Sequence, residues 1–320
     1  MTRLGISTPW LVALALFYLA AVVLTHFHKI AGAATVGLGL LIFFRPLGRI
    51  LSATLIDSWR VLNREAAQER AAAELKRFDQ PVDPRPLVVL LSTAVFLTLI
   101  EYFGDRGHFR QVVGQLWPEL MFHRYFELIS FGYWTGARVV GYVVLPWLVV
   151  LFMKGERLRD YGLSTRGFLR HLWVYGVLFA IVLFPVVMVS FTKTFQHTYP
   201  FYKLAARSWT DFLLWELLYA LQFWALEVFF RGYMIHPLKR SMGAYAIFAM
   251  AVPYCMIHYN KPLAEVLGAV LAGMVLGTLS LRTGSIWCGV LIHVSVAVSM
   301  DSLALMHTAG YPGNPRLVLP

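Results

Sequence analysis

The residues able to do chemistry gather in the last third of the chain. LEVFFRGYM, Leu226 to Met234, sets a carboxylate, Glu227, and a guanidinium, Arg231, four residues apart in an otherwise aromatic and aliphatic run. His258 follows in YCMIH and His293 in LIHVSV. One carboxylate and two imidazoles converging in a water-accessible pocket can activate a water, with Glu227 as general base and the histidines orienting the water or stabilising an oxyanion. A helix-locking ion pair between Glu227 and Arg231 at i, i+4 is an equally good reading of the first motif. His258 could simply cap a helix end beside Tyr259, Asn260, Lys261 and Pro262. His293 is the hardest to explain away, because an unpaired imidazole facing lipid has no partner. Cys255 and His258 share a face at i, i+3 and could ligate zinc, but such sites use three or four protein ligands. No metal and no cofactor is therefore expected.

These side chains need elements that carry them to one depth. The chain is 58% hydrophobic and 14% charged with a mean hydropathy of +0.63, whereas a soluble domain is about a quarter charged. The composition predicts an all-α polytopic membrane helix bundle of about eight to nine transmembrane helices, given roughly 20 residues per crossing. The apolar runs are Trp10 to Phe27, Ile30 to Phe44, Leu87 to Phe103, Ala137 to Met153, Leu172 to Phe191, Phe212 to Phe230, Ala244 to Ile257, Leu263 to Leu281 and Ile286 to Met306. The net charge of +11 is spread between the runs, so positive-inside sorting explains it better than a nucleic-acid partner. Leu47 to Arg85 and Lys154 to Arg170 hold most of the cations and fall on one side, which places the N-terminus in the cytoplasm. The expected location is a bacterial inner membrane. Cys255 and Cys288 each sit in an apolar run and imply no disulfide framework.

Between the second and third runs, RVLNREAAQERAAAELKRFDQPVDPRP reads as a cytoplasmic surface helix and linker, a solvated connector. Pro146, Pro185 and Pro253 fall within predicted spans, where kinks are expected. Glu216, Glu227, Arg231, His258, Glu265 and His293 all follow Thr210, while the earlier spans are almost free of charge inside. A turn at Lys239 to Gly243 makes Glu227 and His258 level, each about 22 Å from it. A turn at Arg282 to Gly284 puts His293 about 14 Å from its own turn, a mismatch of roughly 8 Å for tilt or unequal turn height to absorb. Gly268 with Ala272, and Gly273 with Gly277, allow close helix approach.

Glu227-x-x-x-Arg231-Gly232, then Tyr254-x-x-x-His258, then LRTGSIWCGVLIH ending at His293, resemble the CPBP family. That family comprises the CAAX proteases and bacteriocin-processing enzymes and includes type II CAAX prenyl endopeptidases. The likeness spans Thr210 to Asp301. It implies an N-terminal transmembrane region with the surface helix at 1–165 and a protease core at 166–310. It further implies an intramembrane endopeptidase in which Glu227, His258 and His293 are catalytic, with Arg231 and Tyr254 in support. The partners implied are the lipid bilayer and a membrane-embedded or lipidated, CAAX-like peptide or protein substrate. Two positions depart from the family's pattern. Leu226 stands where the first Glu of a Glu-Glu pair belongs, and Ala297 where a polar residue follows the second His by one turn. Gln222 and Asp301 are candidate substitutes. A non-catalytic relative that binds a membrane peptide or partner is the alternative, and an ion pathway is a third reading that no inverted repeat supports.

Overall fold

The computed structural model describes residues 52–53, 55–72, 83–153, 155–165 and 168–312. The two expected spans before Phe44 lie outside these residues. The described helices are α1 (residues 55–72), α2 (Arg85–Phe103), α3 (Arg106–Leu116), α4 (Phe126–Phe152), α5 (Phe168–Ser190), α6 (Lys193–Thr198), α7 (Trp209–Met242), α8 (Tyr245–Met256), α9 (Leu263–Thr283) and α10 (Trp287–His307). Among the described residues, six are long and apolar enough to cross a membrane: α2, α4, α5, α7, α9 and α10. The run expected at Ala244 to Ile257 forms the shorter α8, of 12 residues. The chain is thus an integral membrane protein built as an all-α polytopic bundle.

Leucines at four-residue spacing show how the bundle meets lipid. Leu213, Leu217 and Leu221 on α7, and Leu263, Leu267 and Leu271 on α9, are all exposed. Each set forms one stripe along its helix, too apolar for water and suited to acyl chains. The opposite faces of α7 bury Trp215, Tyr219, Phe229, Phe230 and Met234. Pro146, Pro185 and Pro253 all lie inside helices, Pro146 just after a π-helical stretch at Val140–Val144 in α4.

Two glycines with positive φ close the hairpins where the sequence places turns: Gly243 (φ 58) after α7 and Gly284 (φ 64) after α9. Both turns lie at one end of the bundle. There Glu156 pairs with Arg85 at 3.4 Å and Arg240 at 2.9 Å, and Leu163 bridges to Ser285. Arg85 before α2, and Glu156 and Leu163 after α4, therefore share that end.

The helix α1 corrects one expectation, because it is no solvated connector. Leu62 and Ala66 are buried, and the Trp59 indole N–H donates to Thr278 Oγ1 at 3.0 Å. Asn63 Oδ1 accepts from the Ala244 amide at 2.7 Å, Lys239 pairs with Glu65 at 2.9 Å, and Arg70 donates to the Ser241 carbonyl at 2.5 Å. The cause is a narrow apolar stripe, Trp59, Leu62 and Ala66, hidden in a charge-rich composition. It docks α1 onto the α7–α8 turn.

Candidate active site

The site rests on an antiparallel register between α7 and α10. The Trp215 indole donates to Asp301 Oδ2 at 2.6 Å. Two turns further along α7, Phe223 stacks on His293 with ring centroids 5.3 Å apart and planes 12° from parallel. One more turn on, the Glu227 carboxylate abuts Gly289, where any Cβ would collide with it. Each rung moves four residues up one helix and four down the other, as expected for packing along i±4 ridges. Tyr219 and Ala297 fall at the remaining rung and share a buried cluster with Trp215. Ala297 is thus small opposite a large aromatic ring, and Gly289 is smaller still opposite a carboxylate.

Glu227 and Arg231 are buried with 0% side-chain exposure and pair at 3.0 Å. A charge so buried demands a counter-charge. The same oxygen, Oε1, lies 2.7 Å from His293 Nδ1. On the other side of the ring, Nε2 lies 3.0 Å from the Tyr254 hydroxyl, within hydrogen-bond distance. The Arg231 guanidinium also lies 4.0 Å from the centre of the Tyr254 ring, a cation–π contact. Arg231 thereby touches the group at each end of the His293 imidazole.

A π-helical segment, Val228–Met234, begins directly after Glu227 and contains Arg231. Such wide turns recur at functional sites and need outside help for their backbone. Ser280 Oγ on α9 supplies it by donating to the Arg231 carbonyl at 3.0 Å.

Glu227, Arg231, Tyr254 and His293 therefore form one network. His258 joins it through Tyr254: its Nδ1 lies 2.7 Å from the Tyr254 carbonyl oxygen and its ring packs edge-on at 4.8 Å. His293 keeps 15% side-chain exposure where Glu227 has none. Leu226 is 3% exposed and Ala297 4%, both packed among apolar side chains. Gln222 and Asp301 are buried on the same helices. Cys255 turns its sulfur toward the Val266 carbonyl at 3.9 Å, and no group of three or more His, Cys, Asp or Glu that could hold a metal occurs among the described residues. Phe223 and Gly289 are participants that sequence reasoning missed. Their only signal is position, one turn before Glu227 and one turn before His293.

In chemical terms, a buried carboxylate beside a guanidinium lies against an imidazole whose second nitrogen faces the Tyr254 hydroxyl. That is the carboxylate–histidine arrangement of general-base catalysis.

A family model described as type II CAAX prenyl endopeptidase Rce1-like matches residues 208–299. The match begins at Ser208, the N-cap of α7, and contains every residue of the network. No curated protein and no solved structure matches the chain.

Proposed function

We propose, from the premise that this chain is a relative of the CPBP family, that it is an intramembrane endopeptidase in which His293 rather than Glu227 is the base. The observation that carries this is the 2.7 Å contact between His293 Nδ1 and a Glu227 oxygen that Arg231 also holds at 3.0 Å. Glu227 is sealed from water, so the base role suggested by its carboxylate passes to the imidazole it orients.

A water at His293 Nε2, beside the Tyr254 hydroxyl and His258, gives its proton to Nε2 while its oxygen attacks the peptide carbonyl. Glu227 stabilises the imidazolium so formed, and His258 or the Tyr254 hydroxyl donates to the developing oxyanion. The imidazolium then returns the proton to the departing amine, which leaves a carboxylic acid and an amine. The substrate is a membrane-associated or CAAX-like protein whose chain reaches this depth. Charge sorting supports a cytoplasmic position for the bundle end that carries Arg85, Glu156 and Arg240, in a bacterial inner membrane with the N-terminus inside.

One observation favours a second reading, a non-catalytic relative that binds a membrane peptide or partner. Leu226 and Ala297, at the two positions where the family's pattern is polar, are packed into apolar core at 3% and 4% exposure. Mass spectrometry of membrane-protein termini separates the two readings. A strain lacking the protein should accumulate unprocessed termini that the wild-type gene restores and His293→Ala does not. Termini that are the same in all three strains would leave only the binding role.

A further inference from the structure

We propose that Asp301, together with Glu216, receives a cationic side chain of the substrate peptide, which makes these two acids specificity determinants; the proposal rests on reading the site as one that engages a membrane peptide. Asp301 is wholly buried on α10. Its Oδ2 accepts from Trp215 Nε1 at 2.6 Å, while Oδ1 has no hydrogen-bond partner among the described residues. On the next residue of α7, both carboxylate oxygens of Glu216 are likewise buried and unpartnered. Glu216 adjoins Trp215, the residue that binds Asp301.

Among the described residues, the two lysines whose charge reaches Asp301 are committed elsewhere. Lys261 lies in electrostatic range of Asp301, but its ammonium meets Glu265 at 3.5 Å and the Tyr199 hydroxyl at 3.1 Å, and covers the Phe201 ring at 3.8 Å. Lys203 is in range too, yet it donates to the carbonyls of His197 at 2.5 Å and Thr198 at 3.1 Å. Buried carboxylate oxygens without donors are costly. An incoming ammonium or guanidinium supplies both donors and charge, and Trp215 beside Asp301 is an aromatic neighbour suited to a cation.

The placement also sets a distance. Asp301 follows His293 by eight residues, or about 12 Å along the helix. An extended peptide covers that in roughly three to four residues. The substrate should therefore carry Lys or Arg three or four residues from the scissile bond, toward the bundle end opposite Arg85 and Arg240.

Binding of two synthetic apolar peptides, each of about 20 residues and identical except for a single Lys or Gln near one end, tests this on the full chain in detergent. Wild-type protein should bind the Lys peptide about tenfold more tightly, and Asp301→Asn should reduce that preference to about twofold or less. Asparagine still offers Trp215 an acceptor, so the fold should survive; Glu216→Gln provides a second variant. Equal binding of both peptides by wild type, or a preference untouched by both substitutions, overturns the proposal. So does stabilisation by sodium or potassium chloride over choline chloride with no peptide preference, which would mark an inorganic cation site. Because binding is read rather than cleavage, a protein that fails as a peptidase could still pass this test.

Discussion

His293 Nδ1 and Glu227 Oε1 lie 2.7 Å apart, across a helix interface where Gly289 leaves room for nothing larger than the carboxylate itself. The relationship gives the charge in LEVFFRGYM a reason. Glu227 and Arg231 neutralise one another inside the bundle, and the pair presents one carboxylate oxygen to an imidazole from another helix. Neither charge would be stable there alone.

Arg231→Ala removes the counter-charge and the cation over Tyr254 in one step. It should cost about 3–5 kcal/mol through the stranded carboxylate, read as a lower midpoint of thermal unfolding in detergent. Adding Glu227→Gln to that variant should recover part of the loss. A midpoint unchanged from wild type would show that the pair stabilises nothing.

Gly289→Ala places a methyl group against the Glu227 carboxylate and should push it away from His293. The expected result is a loss of about 1–3 kcal/mol, as for other overpacked sites, together with a fall in processing larger than the fall in protein abundance. Gly268→Ala is the control, since its Cβ would meet nothing within 4 Å. Equal behaviour of the two variants would contradict the proposed contact.

Tyr254→Phe deletes the hydroxyl 3.0 Å from His293 Nε2 but keeps the ring between Arg231 and His258. Stability should drop by no more than about 1 kcal/mol, while processing should fall by at least about tenfold if the hydroxyl helps to position water or the oxyanion. Wild-type processing by this variant would reduce Tyr254 to a packing residue.

Asn63→Ala should loosen the α1 clamp. The Ala244 amide, which donates to Asn63 Oδ1 at 2.7 Å, loses its acceptor, and the cost should be about 1–3 kcal/mol. Hydrogen exchange at the α7–α8 turn should quicken in step. Unaltered protection of Ala244 would mean that α1 does not hold the turn.

Much of this architecture is legible in the sequence, and the illegible parts share a cause. Apolar run length identifies six of the seven spans expected from Leu87 onward, the exception being Ala244 to Ile257, and Gly243 and Gly284 mark turns because a positive φ suits glycine. Composition cannot reveal α1 docking, since three apolar residues spaced along one face carry the contact while charged residues set the average. Depth counted from the turns sets His293 about 8 Å from the level of Glu227, yet the two touch. The count assumes turns of equal height, whereas α7 is 34 residues long and its last turns run on to meet α1. The π-helical stretch after Glu227 also depends on tertiary support from Ser280, which no local pattern encodes. Periodicity assigns a face to each residue but not the partner across from it, so Phe223 and Gly289 become visible only in the register of α7 against α10.

The most direct test of the central claim is the fraction of processed membrane-protein termini in strains carrying His293→Ala or Glu227→Gln, each normalised to the amount of protein present. If Glu227 orients and charges the His293 base, His293→Ala should abolish processing. Glu227→Gln should leave the protein folded and cut processing by about a hundredfold or more, because an amide can hold the ring but cannot stabilise the imidazolium. Wild-type levels of processing in His293→Ala, with the protein present in full amount, would contradict the account.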